Sequence, residues 1–115
     1  MDKKYQVKVD SNSTVPILHL SGEITAFSDE EINQTYKDME LAAPPKLIVN
    51  FDGAGYINSA GIATLVGIVT DIVEKKGTAR FVDLAPHYRK VVEIVGITEY
   101  VKIFNTVEEA LEDIG

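Results

Sequence analysis

Among the side chains able to do chemistry, Ser59 has the most informative setting. It stands in Gly53-Ala54-Gly55-Tyr56-Ile57-Asn58-Ser59-Ala60-Gly61, a glycine-rich turn followed by an apolar run. A catalytic serine needs a base to take its proton. The chain has two histidines, His19 and His87, neither with an acidic neighbour beside it in sequence. A nucleophile elbow also requires glycine two residues before its serine, and Ile57 occupies that position. The turn fails equally as a nucleotide cradle. The third glycine of a dinucleotide fingerprint would fall at Asn58, and Gly55 and Gly61 are one residue too far apart for a phosphate-binding loop, with no lysine following. Two isolated histidines, no cysteine and scattered carboxylates give no metal-ligand spacing. No enzymatic activity, metal or cofactor is expected, so Ser59 is of interest for what meets it rather than for what it catalyses.

The composition narrows the partners. Eleven Lys and Arg against eighteen Asp and Glu leave a net charge of −7, which gains little from a phosphate backbone, so nucleic acid is not an expected partner. The N-terminal residues lack the apolar stretch of a signal peptide. No apolar run reaches the roughly 18 residues of a membrane span. The expectation is one cytoplasmic domain over residues 1–115, with its core between about 5 and 114, without membrane insertion.

The elements that position Ser59 follow from periodicity and punctuation. Lys4 to Val9 alternates, Ser11-Asn12-Ser13-Thr14 turns the chain, and Val15 to Leu20 completes a hairpin. Ser28 and Glu31 form a capping box for a helix carrying Ile32, Tyr36, Met39 and Ala43, which Pro44-Pro45 stops. Leu47 to Phe51 is almost continuously apolar, as in a strand covered on both faces. A turn then leads through Tyr56 to a helix from about Ser59 to Lys75, with Ile62, Leu65, Val66, Val69, Ile72 and Val73 on its core arc. Ala79 to Leu84 is a further strand. Pro86 opens a third helix with Tyr88, Val91, Ile94 and Val95 inward and Gly96 at its end, and Thr106 with Glu109 caps a fourth. The order predicts an α/β domain with a mixed sheet of four or five strands, parallel after the hairpin, and about four helices.

Several of these segments carry a resemblance. Asn50-Phe51-Asp52-Gly53-Ala54-Gly55-Tyr56-Ile57-Asn58-Ser59-Ala60-Gly61-Ile62 resembles the signature of the STAS domain, the fold of bacterial anti-sigma factor antagonists. Leu20-Ser21-Gly22-Glu23-Ile24 is similar to that family's motif after the second strand. Leu84-Ala85-Pro86, Val92-Glu93-Ile94-Val95-Gly96-Ile97 and Ile103 to Leu111 are similar to its later stretches, in the same order, so the likeness covers nearly all of residues 5–114. It implies a binding protein that captures an anti-sigma factor with serine kinase activity and frees the sigma factor. Phosphorylation by that kinase switches it off, and a serine phosphatase resets it. The matching phosphorylation site is Ser59. The implied interaction surface comprises Glu23, Thr25, Asn58, Ser59, Ala60, Ala63 and Gly67. Two positions depart from the phosphorylated members, which carry aspartate where this chain has Asn58 and Thr25. The alternative is therefore a STAS scaffold or adaptor that is never phosphorylated, in a stress-signalling assembly or beside a transporter.

Physical chemistry accommodates both. A helix N-terminus favours an anion, and a phosphate adds about −1.5 to −2 charge without requiring a change of fold. Ala60, Ala63 and Gly67 beside Ser59 form a smooth stripe that another protein could approach closely.

Overall fold

Strands read from alternating or continuous apolar residues pair into one mixed sheet in a computed structural model that describes residues 3–114. The elements are β1 (Tyr5–Asp10), β2 (Ile17–Ile24), α1 (Ala26–Asp38), β3 (Lys46–Asn50), β4 (Ala54–Ile57), α2 (Ser59–Glu74), β5 (Thr78–Val82), α3 (Pro86–Ile94), a 3-10 turn (Ile97–Glu99), β6 (Val101–Phe104) and α4 (Val107–Ile114). The spatial order is β1-β2-β3-β5-β6, and β4 pairs with β2 off that path. β1 runs antiparallel to β2, from Tyr5 opposite Gly22 to Asp10 opposite Ile17, and all the other pairings are parallel. β2 divides its partners. Ile17 to His19 lies along β3, and Gly22 to Ile24 lies along β4 after a register shift between Gly22 and Glu23.

Successive strand residues point to opposite faces, and the core follows that rule. Leu18, Leu47, Val49 and Phe81 meet Ile32 of α1, Ile62, Leu65, Ile68 and Ile72 of α2, and Val92 of α3. Ile17, Ile48 and Val82 face the other way, onto Ala110 and Ile114 of α4. Helices thus cover both faces, which is why β3 has three consecutive buried apolar residues, Leu47, Ile48 and Val49. Pro86 sits in the first turn of α3. Thr106 and Glu109 form the expected capping box, Glu109 N–H donating to Thr106 Oγ1 at 3.2 Å and Thr106 N–H to Glu109 Oε1 at 3.1 Å.

Five details differ from the sequence reading. The second strand, read as Val15 to Leu20, runs from Ile17 to Ile24, so the Leu20-Ser21-Gly22-Glu23-Ile24 motif lies within it and not after it. The sheet has six strands, because β4 and β6, four residues each, are made by their partners and not by local pattern. The helix expected to start at Ser28 starts at Ala26, and it ends at Asp38 instead of reaching Ala43. Thr25 is its cap, and Ser28 is the reciprocating third residue of that box: Phe27 N–H donates to Thr25 Oγ1 at 3.1 Å, and Thr25 N–H to Ser28 Oγ at 3.0 Å. Glu31 is thereby free to receive Lys3 Nζ at 3.0 Å and the Tyr5 hydroxyl at 3.3 Å, which ties α1 to β1. The buried arc of α2 is rotated, so that Thr64 and Ile68 are inside while Val66 and Val73 face out. Ile94 and Val95, expected inside, are exposed at the end of α3. Among the described residues no helix is long and apolar enough to cross a membrane.

Candidate functional site

Two helices begin side by side at one end of the sheet. Ile24 of β2 and Ile57 of β4 are in register, and each is followed at once by a helix cap, Thr25 for α1 and Asn58 for α2. Asn58 N–H donates to Ile24 O at 3.2 Å across the junction. The backbones come this close because residue 61 is glycine: a Cβ there would lie 2.2 Å from Ile24 O. The two positions at which the chain departs from an acidic pattern are thus the two N-caps, where neutral oxygens serve well.

Asn58 Oδ1 accepts the Gly61 N–H at 3.0 Å. The capping role is therefore filled by Asn58, and Ser59 occupies the first helical position with an exposed side chain. The helix start directs the N–H groups of Ser59 and Ala60 outward, and these have no partner among the described residues. No charged residue lies in that first turn. An anionic group at this position would meet unsatisfied N–H donors and the positive end of the helix.

The remaining surface residues read from sequence are distributed around this point. Glu23 is exposed on β2 opposite Tyr56. Ala60 is half-buried, and Ala63 and Gly67 are exposed one and two turns further along α2. A Cβ on Gly67 would meet nothing within 4 Å, so the stripe is open. Two aromatic residues at the same end were not read as part of the surface. Phe27, in the first turn of α1, is 89% exposed, and Tyr56, just before the Asn58 cap, is 49% exposed. Aromatic side chains are the usual anchors of protein interfaces, and their sequence signal was a large aromatic residue within a helix-start or turn segment.

Behind the surface, α1 and α2 are clasped twice. Buried Thr64 of α2 donates to the Asp29 carboxylate of α1, whose Oδ1 also accepts from Asn33 at 3.1 Å. Seven residues further along each helix the roles reverse, and the Tyr36 hydroxyl of α1 donates to Asp71 of α2 at 2.7 Å. Spacing of seven on both helices returns each pair to the same face. The clasps hold the two helix starts in fixed relation.

The Tyr36 hydrogen bond, followed by that of Lys75, holds the Asp71 carboxyl below the usual carboxylate range, while burial, reinforced by Asp71, raises the Tyr36 phenol above its own. A depressed carboxyl stabilises the fold above its ordinary pKa of about 4 and loses that contribution as pH falls through the lowered value. Asp71 is 39% exposed, which limits the effect. Tyr36→Phe is expected to cost about 1 kcal/mol or less at neutral pH. The difference from wild type should shrink at pH 3 or below, as paired urea melts at the two pH values would show.

The comparisons with known proteins agree with this geometry. A family model described as the STAS domain matches residues 6–110. The fold is similar to that of an anti-sigma-factor antagonist (STAS) domain protein from Planctomyces limnophilus, with a TM-score of 0.82, 22% identity and coverage of 94% of this chain and 97% of that one. It is similar to the Bacillus cell fate determinant SpoIIAA in the phosphorylated form, with a TM-score of 0.76, 18% identity and coverage of 96% and 100%. It also matches part of the murine anion transporter Slc26a9, with a TM-score of 0.72, 14% identity and coverage of 87% of this chain but 17% of that one. With the strand order, the paired helix starts and a family match across nearly all of its length, this chain belongs to the STAS domain family.

Proposed function

We propose that the protein is an anti-sigma factor antagonist. It binds an anti-sigma factor that is also a serine kinase, through the face made by Glu23, Phe27, Tyr56 and the outer stripe of α2. Phosphorylation at Ser59 releases it, and a serine phosphatase restores it. It works in the cytoplasm as a regulator of transcription, and as a binding protein rather than an enzyme. The observation that carries this reading is the exposed Ser59 hydroxyl at the first position of α2, left free by the Asn58 cap. The likeness to anti-sigma factor antagonists, one of them in a phosphorylated form, supports it.

A second reading is a STAS adaptor that is never phosphorylated. The neutral caps Thr25 and Asn58 favour it, and so does the fold's occurrence within a transporter chain. One experiment separates the two. Incubation with the cognate anti-sigma kinase and ATP is expected to add the mass of one phosphate, and Ser59→Ala should abolish the addition. Stable binding to the kinase with no mass change would establish the adaptor reading.

A further inference from the structure

Five large apolar side chains that the fold leaves exposed lie on α2 or on the corner after α3: Val66, Val73, Ile94, Val95 and Tyr100. Four of them, all but Ile94, line a groove of about 240 Å³ between α2 and that corner, floored by buried Val69 and Ile97. Val66, Val69 and Val73 recur at i, i+3 and i+7, so the α2 wall is two turns, or about 10 Å, long. That matches the apolar face of a second helix with side chains at the same spacing.

The charges select the occupant. Glu74 stands in the wall, and Glu93 and Glu99 are exposed on the elements that form the corner. None of the three has a cationic partner within 4 Å among the described residues. Lys75, next to Glu74, is committed to Asp71 on the opposite side of α2. Lys76, Lys90 and Lys102 are the other exposed cations nearby in sequence, and Lys102 is held by Asp113, which leaves two against three carboxylates on a chain of net charge −7. A second copy docking this patch on itself about a two-fold axis would bring like charges together. We propose that the groove receives an amphipathic helix from a different protein, with apolar residues at i, i+3 or i+4, and i+7 and with Lys or Arg on its flanks. This does not depend on the antagonist reading, because the groove's composition is the same whether or not Ser59 is modified.

The test uses the full chain, isotope-labelled, and two synthetic 18-residue helical peptides with the same leucine stripe, one flanked by lysine and one by glutamate. The lysine peptide is expected to shift the amide resonances of Val66, Val73, Val95 and Tyr100, to bind at least tenfold more tightly than the glutamate peptide, and to weaken with added salt. Val73→Ser and Val95→Ser keep every charge, and since both side chains are exposed they should leave the spectrum dispersed. Each should weaken the lysine peptide at least tenfold. Binding unchanged in both variants would show mere charge attraction and overturn the proposal. Equal binding of the two peptides, or shifts elsewhere on the molecule, would do the same. So would self-association in sedimentation that Val73→Ser abolishes, since a second copy would then fill the groove.

Discussion

Ser59→Glu is expected to weaken binding to the proposed anti-sigma factor partner by roughly a hundredfold while leaving the fold as stable as before, or slightly more so. The two effects have opposite signs for a physical reason. At the first position of α2 a carboxylate faces N–H groups that lack partners and the positive end of the helix dipole, which is worth about 0.3–1 kcal/mol to folding. At the centre of a protein interface the same charge must be desolvated without a counter-charge, at a cost of several kcal/mol. About 3 kcal/mol corresponds to roughly a hundredfold in affinity. A phosphate, with more charge and bulk, should exceed the glutamate effect. Ser59→Ala should change neither quantity much, because Asn58 does the capping. Calorimetric titration against the partner, paired with thermal melts, reads both. Full affinity in the glutamate variant would remove Ser59 from the interface. A lowered melting temperature would mean that the variant disturbs the helix start and not the docking.

The reach of sequence reading here followed the range of the interaction that fixes each feature. Pro86 at a helix start and the Thr106–Glu109 box are decided within one turn of chain, and both were legible. β3 was legible because burial on two faces leaves an unbroken apolar run. The short β4 was not: Ala54-Gly55-Tyr56-Ile57 has little strand character of its own and is a strand because Gly22 to Ile24 lies alongside it. The start of α1 was misplaced because Ser28 and Glu31 match the Ser/Thr-to-Glu spacing of a capping box, whereas the box that forms pairs Thr25 with a serine, Ser28, directly after β2 ends at Ile24. Val66, Val73, Ile94 and Val95 are apolar and periodic yet outside, which no pattern of apolar residues can foresee when the neighbouring element that would cover them is missing from the fold. The place of Ser59 at a helix start was legible through its flanking motif. The exposure of Phe27 and Tyr56 was not, since it depends on two helix starts meeting at one end of the sheet.

Identical substitutions at two glycines of α2 are expected to act in opposite directions, and the contrast tests how the site is built. Gly61 lies in the first turn of α2, where a Cβ would stand 2.2 Å from Ile24 O, 2.9 Å from Ile24 C and 3.0 Å from Ile57 Cγ2. An ordinary carbon–oxygen approach is about 3.3 Å or more, so α2 and β2 would have to separate by about 1 Å. The obstacle is backbone, and it is the same carbonyl that accepts the Asn58 N–H, so the cap beside Ser59 would shift as well. Gly61→Ala is therefore expected to cost about 2–3 kcal/mol, even after the alanine's helix preference of up to about 1 kcal/mol is credited. In a domain of this size that lowers the melting temperature by about 10 °C. Gly67 faces open space, and there the alanine preference stands unopposed, raising stability by about 0.5–1 kcal/mol and the melting temperature by a few degrees. On the proposed docking stripe the same methyl obstructs close approach, so Gly67→Ala should weaken anti-sigma factor binding by roughly tenfold. A variant that is more stable but binds less well separates the two roles of α2, packing on its inner arc and recognition on its outer one. Undiminished binding by Gly67→Ala would confine the docking face to the helix start around Ser59, and a harmless Gly61→Ala would show that the close junction of α2 with β2 does not hold the site.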